Sequence, residues 1–531
     1  TVIERDDISG SYNTTNVKNY ISNAYNNWEN PPEYVCFVGD ANGTLEVPTY
    51  TVGEGGGWGG AYGEGDFPYS LIEGNDNLPD IIVGRMSVRN SSELATVINK
   101  IIGYEKNYAG STDWLNSAAL IGDPYDSGIS TVITNEYIEN VMDIHGGISD
   151  IRTKYSGSGF DTFMRSQIND GVSYLNYRGF YGFSNFNSSD VDQLSNGYKL
   201  PFLTTLTCDT GSFETDNECI TESLFRAGST TSPKGAVAVV GTAQPYTHTA
   251  FNNIVAMGMY EGIFINGAKT AGESLVYGQL ALAETYPQNP NNNVYYFATW
   301  NNLMGDPATQ LWTSRPQDLL VEHTDLYLSG SNNFQVKVTT QFDQPYEDAI
   351  VSLYKEISGN VQFQVNGITN ENGIVDFEID DSSIGNVFVT TRCQNCHPVE
   401  TNFEITSTYP ELSLDESSII INDTNGNNDG NFNPGETVLI SFNIDNLSSQ
   451  QIDNLSLEVV SSTNLMSLQN NSIPSFNIYP QGGIQVENIQ IFADYNLLDS
   501  ADPDLKVFLY SESNNIEWSF DLPLEFKSGD V

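Results

Sequence analysis

The chain has 531 residues, enough for several domains with sizeable cores, and carries 68 acidic against 20 basic residues, a formal net charge of −48. That balance makes nucleic acid and anionic membrane surfaces poor partners, since both are held through clustered Lys and Arg; it fits a salt-adapted protein or an ordinary soluble surface. No stretch approaches the ~18 apolar residues of a membrane helix, so membrane insertion is not expected, and the opening Thr1-Val2-Ile3 carries no signal peptide and reads as a processed chain.

Helix and strand patterns alternate from residue 1 to about 314. Asn13-Thr14-Thr15 caps a helix reaching about Trp28, and Tyr34 to Val38 is a short apolar strand closing on Gly39-Asp40. The segment from Gly53 to Asp66 is Gly-rich and acidic; it lacks the Gly-Lys-Ser/Thr of a phosphate cradle and reads as a long mobile loop. Ser91-Ser92-Glu93 opens a helix with Leu94, Val97, Ile98, Ile101 and Ile102 at helical spacing. Ala118 to Ile121, Phe202 to Thr207 and Ala236 to Val240 read as strands. Such alternation predicts a mostly parallel sheet with helices on both faces.

The segment from Leu203 to Phe213 is an apolar, β-branched run that ends in Cys208 and passes at once into Asp209, Thr210 and Gly211. It places a thiol at the carboxyl end of a buried strand, the edge where open α/β sheets do their chemistry. A matching strand, Val172 to Tyr177, ends in Arg178-Gly179-Phe180. With Tyr34 to Asp40, Ile82-Val83-Gly84-Arg85 and Asn302 to Pro307, these motifs resemble the gingipain-like cysteine peptidases, a secreted Bacteroidetes-type family with a caspase-like fold. The resemblance implies a caspase-fold peptidase domain over residues 1–314, its first βα unit lying ahead of Thr1. It also implies Cys208 as nucleophile, an oxyanion held by N–H groups around Gly179 and Cys208, and Asp123 as the acidic third member.

The family's catalytic His follows the strand-ending Gly, and here that position is Phe180. A cysteine peptidase needs a thiolate and a group that protonates the leaving amine. Phe180 carries no proton to give, Arg178 stays charged, and the phenol of Tyr181, with a pKa of about 10, is poorly matched to neutral pH. Among the four histidines, His145 falls at a helix end and His323 and His397 fall in the later β-patterned region. His248 alone follows a strand on the edge that carries Cys208, which makes it the candidate substitute base. Two functions stay open: an endopeptidase acting on protein or peptide substrates, or an inactive pseudopeptidase that binds a cell-surface protein partner. In either case the resemblance implies type IX secretion and an extracellular or cell-surface location.

From about Pro316 the pattern becomes alternating, as in Phe334/Val336/Val338 and Val375/Phe377/Ile379, and Asn372-Gly373 is a hairpin dipeptide. Residues 315–407 and 408–531 are expected to form two all-β, immunoglobulin-like sandwiches. The five cysteines are too few for a disulfide framework. Cys393-Gln394-Asn395-Cys396-His397 spells a haem-attachment signature, but its β-patterned flanks favour a short-loop disulfide. In the second sandwich, Asp423, Asn425, Asn427, Asp429 and Glu436 space oxygen ligands along an Asn/Gly-rich loop, predicting bound calcium, with a metal-free Asn/Gly turn as the alternative. The loop departs from an EF-hand, with Asn428 at the sixth position and Glu436 two residues late.

Overall fold

The computed structural model describes residues 1–53, 62–215, 217–328, 333–379, 383–406, 410–448, 450–497, 505–512 and 516–524. Two compact units emerge: Thr1–Asp318 with Cys393–Pro398, and Leu319–Arg392 with Val399–Val531. The expected boundary at 407/408 lies outside the described residues.

In the first unit eight strands form one sheet: β1 (Tyr34–Val38), β2 (Ile82–Met86), β3 (Ser117–Gly122), β4 (Asp150–Lys154), β5 (Tyr174–Arg178), β6 (Phe202–Thr205), β7 (Ala238–Thr242) and β8 (Asn301–Met304). Their spatial order is β1-β2-β8-β7-β6-β5-β3-β4, and every neighbouring pair is parallel except β7 with β8. Strands β3, β5, β6 and β7 are buried throughout; β3 and β7 read as apolar runs for that reason, whereas β5 carries the buried polar Asn176 and Arg178. Alternate residues of β3 feed two cores. Ala118 and Leu120 pack with the helices Thr249–Phe264 and Ala271–Thr285, while Ala119 and Ile121 pack with Phe160–Asp170 and Ile220–Arg226. This is the caspase-like layered α/β arrangement.

Buried ions secure the β1–β2 side. Arg85 is fully buried and bidentate to Asp66, with Nε–Oδ2 at 2.7 Å and Nη2–Oδ1 at 2.8 Å, and its Nη1 donates to the carbonyls of Gly39, Asp40 and Val47. Arg226 bridges Asp40 at 2.7 Å and Glu222 at 2.8 Å. The Gly-rich segment departs from the expected loop. Residues 54–61 lie outside the described residues, but Gly63–Gly65 is a buried strand paired antiparallel with Tyr50–Val52. The glycines serve close approach: a Cβ on Gly65 would lie 1.7 Å from the Thr299 carbonyl oxygen, and one on Gly63 would lie 2.6 Å from the Trp300 ring.

The second unit is all β. A three-stranded sheet (Leu319–Glu322, Phe334–Thr340, Ile374–Phe377) and a five-stranded one precede two four-stranded antiparallel sheets. The last pair encloses an apolar core that includes Val438, Ile440, Phe442, Leu457, Val459, Val507 and Leu509. Alternation along Thr437–Asn446 and Leu505–Ser511 supplies the inward faces, as sandwich packing requires.

Candidate active site

Cys208 follows β6 at the carboxyl edge of the sheet and is 9% exposed. It pairs with Tyr181 in a parallel bridge beyond the end of β5, and its carbonyl accepts from Gly182 N–H at 2.9 Å. The chain then turns through Asp209 in the left-handed region at φ 63°, a conformation Asp tolerates better than most residues. The Asp209 carboxylate accepts from Ser212 Oγ at 2.6 Å and from the Tyr181 hydroxyl.

The described hydrogen bonds of the Cys208 sulfur go to one residue, Thr247. Its Oγ1 lies 3.1 Å from Sγ, and its N–H donates to Sγ at 3.4 Å. Asn252 Nδ2 donates to the same Oγ1 at 3.1 Å, and the remaining lone pair and proton of the hydroxyl let it either donate to sulfur or accept from the thiol. His248 comes next in the chain and caps the helix Thr249–Phe264: its Nδ1 accepts from Ala250 N–H at 3.0 Å. An Nδ1 used as acceptor leaves the neutral ring's proton on Nε2.

At the position where the resemblance places an imidazole, the Phe180 side chain is 57% exposed, and Tyr181 and Tyr246 are similarly open. The hydrogen bond to the Asp209 carboxylate and then burial push the Tyr181 phenol up to about 12, so it is still less suited to giving a proton at neutral pH. Asp123 is engaged elsewhere: it accepts from Ser184 Oγ, which accepts from the Tyr177 hydroxyl at 2.9 Å. That hydroxyl sits beneath Gly179, where a Cβ would approach it to 2.1 Å, so only glycine fits. The Gly179 N–H donates to Thr207 Oγ1 at 3.3 Å. The structure therefore gathers Cys208, Thr247 and Tyr181 at one point and links Asp123 to Gly179 through Ser184 and Tyr177. Asp423, Asn425, Asn427, Asp429 and Glu436 belong to a loop of the second unit.

Sequence reasoning missed Thr247 and Glu64, and it weighed Arg178 only as a proton donor. Thr247 was hidden because its partner lies 39 residues away in the chain. Arg178 is fully buried, with Nε and Nη2 donating to Asn253 Oδ1 at 2.9 and 2.7 Å. Burial pushes its guanidinium down to about 10, which leaves it a cation at neutral pH. Glu64, inside the Gly-rich segment, is 6% exposed and accepts from Glu214 N–H at 3.1 Å, beyond the turn that follows Cys208.

Burial pushes the Glu64 carboxyl up to about 7, and the charge of Glu214 adds to the rise. The folded state thus keeps a proton that the unfolded chain, at the ordinary 4.5, has released. This contribution to stability is complete below the unfolded value and is lost as pH rises through 7. Glu64→Gln is expected to melt like the parent at about pH 4 and to be more stable at about pH 8 by on the order of 1–3 kcal/mol. Thermal melts at the two pH values check this, and a variant no more stable than the parent at the higher pH would refute it.

A thiol at the carboxyl edge of a caspase-like sheet defines the scaffold of a cysteine peptidase. Residues 1–312 match the model of peptidase family C25, and the chain belongs to that family. It is 24% identical over 391 residues to Gingipain R1 of Porphyromonas gingivalis, covering 69% of this chain and 37% of that protein. It is 26% identical over 348 residues to Gingipain R2 of the same organism, covering 62% and 45%. The chain thus spans less than half the length of these relatives. The crystal structure of the Arg-specific cysteine proteinase gingipain R aligns with a TM-score of 0.65 at 24% identity, over 76% of this chain and 90% of that one, a likeness of fold. The chain is a gingipain-like C25 cysteine peptidase homologue.

Proposed function

We propose that this homologue binds extended protein or peptide segments along the sheet edge without efficient amide cleavage, at the cell surface or outside the cell. The observation that carries the reading is Phe180, an exposed ring at the position that the resemblance assigns to the general acid–base. Three further features support it. The described partners of the sulfur are Thr247 alone, His248 spends Nδ1 on a helix cap, and Asp123 is joined to Ser184. The exposed rings of Phe180, Tyr181 and Tyr246 are suited to apolar side chains of a bound segment.

A second reading keeps Cys208 as a working nucleophile, with His248 as base, Asp123 as orienting acid and N–H groups near Gly179 and Cys208 as oxyanion donors. It is favoured by the Thr247 N–H that donates to the sulfur and by the buried cation of Arg178, both of which suit a thiolate. Labelling with thiol-reactive peptidyl probes, comparing the parent with Cys208→Ala, separates the two. We expect slow labelling of Cys208 in the parent, none at that position in Cys208→Ala, and retained peptide binding in both proteins. Turnover of a peptide library by the parent that Cys208→Ala abolishes would establish the second reading instead.

A further inference from the structure

The loop from Asp423 to Glu436 joins the strands Leu412–Asn422 and Thr437–Asn446 of the second unit. Asp423 is buried and its Oδ2 accepts from Gly430 N–H at 2.9 Å. Glu436 Oε1 accepts from Asn427 N–H at 2.8 Å, and the carboxylate lies against the main chain of Gly426, where a Cβ would come within 2.8 Å of it. Asn433 is 4% exposed and its Nδ2 donates to both carboxylate oxygens of Asp429 at 3.3 Å.

Two oxygens in this loop, Asn433 Oδ1 and Glu436 Oε2, are buried with no hydrogen-bond donor among the described residues. Buried acceptors are nearly always satisfied, so two orphans three residues apart point to a missing electropositive partner. None of the described ion pairs involves Asp423, Asp429 or Glu436, so three carboxylates share the loop without a neutralising Lys or Arg among the described residues. The donor set is all oxygen, without imidazole or thiolate, which selects a hard cation over zinc or copper.

We propose that this loop binds one calcium ion through Asp423, Asp429, Glu436 and the side-chain oxygens of Asn427 and Asn433, with Asn425 at the exposed rim. Among the described residues no three His, Cys, Asp or Glu side chains gather closely enough to hold a metal by themselves. The amide oxygens are therefore integral to the site, and Asn433 joins the ligands expected from sequence. Calcium accepts such mixed sets of six to eight oxygens, whereas magnesium demands a tighter octahedron. Bound calcium would tie the two strands at their shared end and cancel the repulsion among the carboxylates.

The test is calorimetric titration of the chelator-stripped full chain with calcium chloride, then with magnesium chloride, at ~0.15 M ionic strength. A single site with a calcium Kd between about 10⁻⁶ and 10⁻³ M is expected, with magnesium at least about tenfold weaker. Glu436→Gln and Asn433→Ala should each weaken calcium at least about tenfold. Should a variant fail to fold, terbium luminescence on the parent serves, sensitised by Tyr495, whose ring packs on Gly435; calcium should displace it. Absence of calcium heat up to about 10 mM, an order above the weakest extracellular sites, overturns the proposal. So does binding that survives undiminished in a folded Glu436→Gln.

Discussion

Phe180→His is expected to raise Cys208-dependent peptide hydrolysis by about 10²-fold or more, the range a positioned acid–base group contributes. The ring it replaces is 57% exposed, so the exchange disturbs little packing. Residue 180 immediately precedes Tyr181, the bridge partner of Cys208, and is the position to which the family resemblance assigns the catalytic imidazole. It would take the thiol proton as Sγ attacks the carbonyl carbon and return a proton to the departing amine. Steady-state kcat/KM for the parent, Phe180→His and Phe180→His/Cys208→Ala measures the effect, and the gain should vanish in the double variant. A bell-shaped pH profile should accompany the gain. If the single variant gains nothing, residue 180 is not what holds activity down; if the parent already turns over as fast, the binding reading fails.

Arg85→Met should be the most damaging single change for stability of the first unit. It strands the Asp66 carboxylate in the interior and withdraws a donor from three main-chain carbonyls. Breaking one side of a buried pair typically costs about 3–5 kcal/mol, because the remaining charge stays buried and unpaired. A fall of order 10 °C in the first thermal transition is expected. Arg85→Met/Asp66→Leu should recover part of it, since an apolar pair avoids the desolvated charge. A loss below about 1 kcal/mol, the size of a surface pair, would show that the interior around Arg85 is far wetter than its burial implies.

Much of this fold was legible because strands buried on both faces declare themselves as apolar runs: Ser117–Gly122, Phe202–Thr205 and Ala238–Thr242 lie close to where the runs are. The edge strand Asp150–Lys154 escaped, since Asp-Ile-Arg-Thr-Lys keeps only a partly buried face and no apolar run. Composition misled at Gly63–Gly65, where glycine marks backbone pressed against Thr299 and Trp300 rather than freedom. At the candidate site, Cys208 and Phe180 stood out because each sits at a strand end. Thr247 and Asn253 did not, because their part depends on how a helix start from another segment lands beside the sulfur and Arg178. Glu64 was unreadable for a related reason: what makes it unusual is burial, which no neighbouring residue announces.

Arg85, Lys100, Arg178, Arg226 and Lys355 are all buried, so among the described residues a quarter of the chain's 20 basic side chains is withdrawn from solvent. Among the described acidic side chains, Asp40, Glu64, Asp66, Asp190, Glu222 and Asp423 alone are similarly hidden. The face offered to passing molecules is therefore more one-sidedly anionic than the composition alone conveys. It gathers a dense counterion cloud whose thickness is set by ionic strength, about 8 Å in physiological saline. Two copies repel before they touch, while polycationic chains are drawn in from a distance at a rate that falls as salt is added. The interior burial of arginine and lysine thus adds to the long-range repulsion of anionic macromolecules from this chain.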